Sequence, residues 1–286
     1  MSNKWKVFMR KGFFTFLCIL WISFFIVIYQ LWAKPIKVVV SGYALEKVIK
    51  EACPSLKFEA LLPPHGEFHS FEPSLSQWKA IKEADLVILV GTEPWAEKVF
   101  SLRKKGVLSL LKKGEKVKDP HLWFDLSRIE TLVINLKNFL KKNAPEAYAA
   151  CDTNFGEFLK NLSSLKARCK ALKNCQKKEI FILGHPVFSY LFKGAGIEQV
   201  TLVKGHFHQA EPGMKSVAEL LKRIKTSGED TIFLTDPDFA KFEKLFRTRG
   251  IRVEYLWSGD TYHSGSFTDL LESNLLKIKK VLKCQN

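Results

Sequence analysis

From Ile36 onward, short apolar runs alternate with stretches whose apolar positions recur every three or four residues. Ile36–Ser41 predicts a buried strand, and Ala44–Cys53 a helix with Leu45, Val48, Ile49 and Ala52 on one face. Phe58–Leu62 predicts a second strand. Ser74-Leu75-Ser76-Gln77 has the form of a capping box, opening a helix that ends near Ala84. Leu86–Val90 is a third buried strand, followed by Gly91 and a helix begun at Pro94. Repeated βα units of this kind predict a mostly parallel sheet with helices on both faces.

The middle of the chain breaks the alternation. Ser127-Arg128-Ile129-Glu130 predicts a capping box and a helix to about Asn143, and Pro145 starts another to about Leu172. In the second helix Tyr148, Cys151, Phe155, Phe158, Leu159, Leu162, Leu165, Cys169 and Leu172 recur at spacings of three and four, over about 40 Å at 1.5 Å per residue. A coiled-coil arm would show a longer apolar face and a charge pattern specifying its partner. Beyond it the alternation resumes. Strands are expected near Ile180–Leu183, Val200–Val203, Thr231–Leu234 and Arg252–Leu256, and helices near Met214–Thr226, Asp238–Arg249 and Thr268–Leu282. The fold class is therefore α/β, with two parallel-sheet lobes joined by one long rigid helix. The expected division is a leader at 1–34, an N-terminal lobe at 35–144, a linking helix at 145–173 and a C-terminal lobe at 174–286. A helical connector is stiff and disfavours large hinge closure.

Composition adds an export signal. Lys4, Lys6, Arg10 and Lys11 flank the apolar stretch Gly12–Tyr29, which is long for a signal core and nearly long enough to span a bilayer. Two outcomes stay open: a cleaved signal with the mature chain starting near Lys34, or an uncleaved N-terminal anchor, since Leu31-Trp32-Ala33 is a poor cleavage site. Either puts the body in the periplasm, the second anchored to the inner membrane. The formal charge of +16 would suit nucleic acid, but the lysines are spread over almost every helix and no nucleic-acid motif accompanies them. Five cysteines follow the leader in a compartment that permits disulfides, and an odd number cannot all pair internally. Cys169 and Cys175 are close enough to bridge across a helix end. Burial of Cys53 and Cys284 as small apolar residues is the alternative to pairing, and the pairing among Cys53, Cys151, Cys169, Cys175 and Cys284 stays open.

Histidines bring the chemistry. His65, His69, His121 and His185 sit where a strand has ended or a helix is about to start, and loops at the carboxyl ends of parallel strands form the ligand crevice. His69, His121 and His185 come from separate βα units, so only folding could gather them into a site for a tetrahedral metal ion. The H-E-x-x-H spacing of zinc proteases is absent. His206 and His208 point to one side of an extended segment and read as an exposed loop pair rather than an auxiliary metal site. Glu67, Glu72 and Glu211 are candidate acceptors for ligand N–H groups.

The segment Pro63-Pro64-His65-Gly66-Glu67-Phe68-His69-Ser70-Phe71-Glu72-Pro73-Ser74, followed by Ala84–Gly91, resembles the first metal-ligand segment of the ZnuA/TroA-like zinc/manganese receptors of ABC importers. Asp119-Pro120-His121-Leu122-Trp123-Phe124-Asp125 is similar to the second segment, and Gly184-His185-Pro186-Val187-Phe188-Ser189-Tyr190 to the third. The resemblance implies two α/β lobes with a metal between them on His69, His121, His185 and a carboxylate. A direct alignment puts Trp257 where the family has that acid, and Asp260 takes the role by a loop shift. The family's His- and acid-rich loop is missing, since Lys112–Lys118 is short and lysine-rich, which leaves manganese or ferrous iron open beside zinc. The expected partner is an ABC permease with its cytoplasmic ATPase, and the expected state a monomer. The rival is a zinc hydrolase with water in an open fourth coordination position.

Overall fold

The computed structural model describes residue 21 and residues 35–64, 66–205 and 212–284. The chain divides into units 1–36 and 37–286, and every element below belongs to the second. Among the described residues no helix is long and apolar enough to cross a membrane. Apart from Trp21, the apolar stretch Gly12–Tyr29 lies outside them.

The first lobe is built from β1 (Val38–Val40), α1 (Tyr43–Ala52), β2 (Glu59–Ala60), α2 (Leu75–Glu83), β3 (Leu86–Leu89), α3 (Ala96–Leu102) and β4 (Val107–Ser109). Its four strands are all parallel, in the order β2-β1-β3-β4, with Val39 opposite Val87 on one side and Glu59 on the other. Val87, Ile88 and Leu89 are fully buried because helices cover both faces, so the central strands carry continuous apolar runs instead of alternation. Ser74 caps α2 through the predicted capping box, with Gln77 N–H donating to Ser74 Oγ and Ser74 N–H to Gln77 Oε1. The strand β4 carries no expectation from the sequence. It is three residues long and only half-buried at the sheet edge.

A 3-10 turn (Leu122–Phe124) leads into α4 (Leu126–Asn143) and then α5 (Pro145–Ala171), the expected long helix. The cap of α4 differs from the expectation at Ser127. Asp125 takes that place, its carboxylate accepting the N–H groups of Ser127 and Arg128, so the cap lies two residues earlier. Cys151, Phe155, Phe158, Leu162 and Leu165 form the buried stripe of α5. That stripe packs against α4 and α1 of the first lobe and against α8 (Phe267–Val281) of the second.

The second lobe contains β5 (Glu179–Leu183), β6 (Glu198–Thr201), α6 (Met214–Ser227), β7 (Thr231–Leu234), α7 (Glu243–Arg247), β8 (Arg252–Tyr255) and α8. Its parallel sheet runs β6-β5-β7-β8, so both lobes place their second, first, third and fourth strands in the same order. The single helix expected over Asp238–Arg249 is a 3-10 segment (Pro237–Phe242) followed by the short α7; Asp236 caps the start by accepting the Asp238 N–H.

The cysteine expectation needs correction. Cys53 pairs with Cys151 and Cys175 with Cys284, while Cys169 is the free thiol among the described residues. Nearness in sequence misled, because the 3-10 turn Leu172–Asn174 carries Cys175 away from Cys169. The bond from Lys177 N–H to Leu282 O then lays the end of the chain beside Cys175. Burial pushes the Cys169 thiol up to about 12, which leaves it unreactive near neutral pH.

Candidate metal centre

Four loops, all at the carboxyl ends of strands, meet between the lobes. His69 follows β2, His121 follows β4, His185 follows β5 and Asp260 follows β8. One donor atom from each lies within 4.8 Å of every other. His121 Nε2 stands 3.1 Å from His185 Nε2, Asp260 Oδ2 is 3.7 Å from both, and Asp260 Oδ1 is 3.4 Å from His69 Nε2. Donors about 2.0–2.1 Å from a tetrahedral zinc ion would stand about 3.3 Å apart; the separations of 3.1 to 3.7 Å fit such an ion, and the widest in the cluster, up to 4.8 Å, would have to close. His121 is fully buried, and His185 and Asp260 are nearly so.

Each donor is aimed by a separate contact. Asp119 Oδ1 lies 2.6 Å from His121 Nδ1 and also accepts the His121 N–H at 3.0 Å, which turns Nε2 toward the centre. Tyr190 donates to Asp119 O at 2.9 Å, tying the His121 segment to the loop after His185. Gln199 Oε1 accepts the N–H groups of Val187 and Phe188 and so fixes the turn that carries His185. Glu67 accepts the backbone N–H of His69 at 2.9 Å. The sequence offered Glu67, Glu72 and Glu211 as acceptors, but the ring acceptor found is Asp119, two residues before His121; Glu72 is exposed. His65, His206, His208 and Glu211 lie outside the described residues.

Asp260 reaches the cluster, while Trp257, where a direct alignment puts the acid, is held away from it. Trp257 is buried against Phe124 and Phe267, and its backbone N–H and C=O are both held by the Asn274 amide. Trp123 Nε1 donates to Ser258 O at 2.8 Å, and Gly259 turns the chain at φ +84° so that Asp260 enters the site. A Cβ on Gly259 would lie 2.2 Å from Trp123 Nε1 in a backbone conformation that side chains disfavour. Gly259→Ala should therefore destabilise the protein by about 2 kcal/mol or more and displace Asp260, measured by thermal unfolding and metal affinity together.

Charge in the cluster is unequal. Burial alone would push the Asp260 carboxyl up, but the neighbouring His121, His69 and His185 imidazoles prevail and hold it at about 2. Burial opposes a proton on His69, yet Asp260, Glu67 and Asp119 outweigh it and raise its pKa. A cavity of about 450 Å³ borders the cluster, lined by Glu67, His69, His185, Asp236, Asp260 and Tyr262 among others. Three nitrogens and a pre-ionised carboxylate, mostly screened from water, make a strong donor set for a borderline divalent cation.

The family described as ZnuA, zinc-uptake complex component A periplasmic, matches residues 38–281. The zinc-binding protein AdcA of Streptococcus pyogenes is 26% identical over 231 residues, which cover 68% of this chain and 45% of that protein. The chain thus spans about half the length of the streptococcal relatives it matches. The high-affinity zinc uptake system protein ZnuA of Bacillus subtilis is 26% identical over 258 residues, 78% of this chain and 80% of that one. The Zn(II)-bound ZnuA-like domain of Streptococcus pneumoniae AdcA superposes with a TM-score of 0.69 at 23% identity, covering 87% of this chain and 99% of that domain.

Proposed function

This chain belongs to the ZnuA family of periplasmic zinc-uptake components, and on that footing we propose that it is the extracytoplasmic receptor of an ABC importer. It takes a divalent transition metal between its two lobes and delivers it to a membrane permease driven by a cytoplasmic ATPase. Zinc is the first cargo, with manganese and ferrous iron as competitors, and the ligands are His69, His121, His185 and Asp260. The observation that carries this reading is the convergence of those four donor atoms within 4.8 Å from loops of both lobes. The family is one of uptake components, not of enzymes, and with Asp260 in the fourth position the open coordination site of the hydrolase alternative is filled. The receptor acts as a monomer, and its lobes and connector follow the division 35–144, 145–173 and 174–286.

Two features suit capture followed by release. Asp260 is already ionised, so it offers a charged oxygen without first losing a proton. The imidazoles must be neutral to bind, and the negative neighbours of His69 hold its proton more firmly than usual. Loading therefore releases protons, and affinity should fall as pH drops, starting above the ordinary imidazole value of about 6.5. Zinc competition titrations with a chromophoric chelator in buffers from about pH 7.5 to about pH 5 check this; a flat profile would contradict a histidine site. Metal analysis of protein purified without chelator, followed by competition between zinc and manganese, tests the cargo.

A further inference from the structure

Lys47 and Glu51 stand one turn apart on α1 of the first lobe, and both reach the segment of the second lobe that carries Asp260. Lys47 Nζ donates to Gly265 O at 2.8 Å and lies 5.6 Å from the ring of Tyr262. Glu51 Oε2 accepts the Thr268 N–H at 3.0 Å, and Glu51 Oε1 accepts the Thr268 hydroxyl. The Phe267 N–H also faces the Glu51 carboxylate, while Ser266 Oγ accepts the N–H of Asp269. The opening amides of α8 are thus satisfied partly from the other lobe. A carboxylate there is further favoured by the positive end of the helix dipole.

The opposite end of the segment is held at Trp257 by Asn274 and at Ser258 by Trp123. Asp260 sits between these two anchorages, in a stretch from Ser258 to Ser266 that has no helix or strand of its own. Its carboxylate meets the imidazoles at 3.4 to 3.7 Å, and a donor needs placing to within about 0.5 Å to ligate well.

We propose that Lys47 and Glu51 are positioning residues for the fourth ligand: they clasp the far end of the Asp260 segment to the first lobe and so set how tightly the loaded metal is held. The proposal rests on the metal-receptor reading of the site, and it assigns α1 a part in binding although it contributes no ligand. Without the clasp, the three histidines stay in place while Asp260 samples other positions. The expected loss is about 10-fold in zinc affinity, the lower end of the range for partners that orient a metal ligand.

Glu51→Ala, Glu51→Gln, Lys47→Ala, Asp260→Ala and the double variant Glu51→Ala with Asp260→Ala should be compared in the full chain. In the metal-free protein, peptides covering 257–268 should exchange amide hydrogen faster in Glu51→Ala and Lys47→Ala, with β5 and β7 unchanged. Glu51→Gln, which keeps a carbonyl acceptor, should recover most of the protection. Zinc competition should show about a 10-fold loss for Glu51→Ala and no further loss when it is added to Asp260→Ala, because the two act through one contact. Unchanged exchange over 257–268, or the same loss with and without Asp260, would overturn the clasp. Zinc affinity unaffected by His121→Ala would instead overturn the reading of the site, whatever the exchange shows. If Glu51→Ala alters exchange in β5 and β7 as well, Lys47→Ala and Glu51→Gln decide the matter by the same two readouts.

Discussion

His121→Ala should cost more than about 100-fold in zinc affinity, beyond the range seen when only a ligand's orienting partner is lost. This side chain is wholly enclosed and faces His185 Nε2 at 3.1 Å, so its loss removes a nitrogen from the centre of the cluster. Asp119→Ala should fall within the 10-to-100-fold range, since the ring remains but loses the carboxylate that fixes its tautomer. Truncating His121 also leaves the nearly buried Asp119 without its imidazole, which costs folding stability. Thermal unfolding of the metal-free variant is therefore needed beside chelator competition. Replacing His206 or His208 by Ala should change affinity far less; equal losses at all these histidines would refute a centre built on His69, His121 and His185.

The second large effect is on folding. Cys53 and Cys151 are 98 residues apart in sequence, and Cys175 and Cys284 are 109 apart. Closing a loop of about 100 residues removes roughly 4.7 kcal/mol of unfolded-chain entropy in the loop model, and removing a native bridge typically costs about 2–5 kcal/mol. A domain's whole stability is about 5–15 kcal/mol. Replacing either pair by Ala should lower the urea midpoint strongly, and full reduction of both should bring the protein close to unfolding at 37 °C. Coincident urea curves with and without reductant, on protein whose thiol count confirms reduction, would show that the bridges contribute nothing. The cost should appear in metal-free protein too, which separates it from ligand loss.

Much of this molecule was legible in its sequence because its signals are local. Buried parallel strands such as Leu86–Leu89 are continuous apolar runs, and Pro145 at the first turn of α5 marks the start of its longest helix. His69 and His185 could be nominated because each follows a predicted strand, and His121 because it sits in the turn Asp119–Trp123 just before a helix. What stayed hidden depends on contacts distant in the chain. No local pattern announces that Cys53 meets Cys151, that Asn274 grips Trp257, or that Trp123 reaches Ser258. Asp260 was expected only through a resemblance and a loop shift; in the structure the turn at Gly259 against the Trp123 indole brings its carboxylate to the histidines. Asp119 was the one hidden partner with a readable cue, an acid two residues before a histidine, where a short side chain can reach both the ring and the backbone of the same residue.

The two lobes share one strand order but contribute different donors to the centre: two imidazoles from the first, an imidazole and a carboxylate from the second. Either lobe alone would be a weak bidentate chelator. The connector α5 joins them, bridged to the first lobe by Cys53–Cys151 and followed at once by Cys175–Cys284 in the second. On the proposed reading, a metal caught by one pair would meet the other at a high effective concentration. Short flexible linkers give millimolar values, and a stiff connector whose span matches the site avoids the dilution that slack brings. Release would follow the same arithmetic, because an ion that let go of one lobe would be recaptured unless something came between the pairs. On the proposed receptor reading, a stiff connector would leave the work of unloading to a partner at the mouth between the lobes.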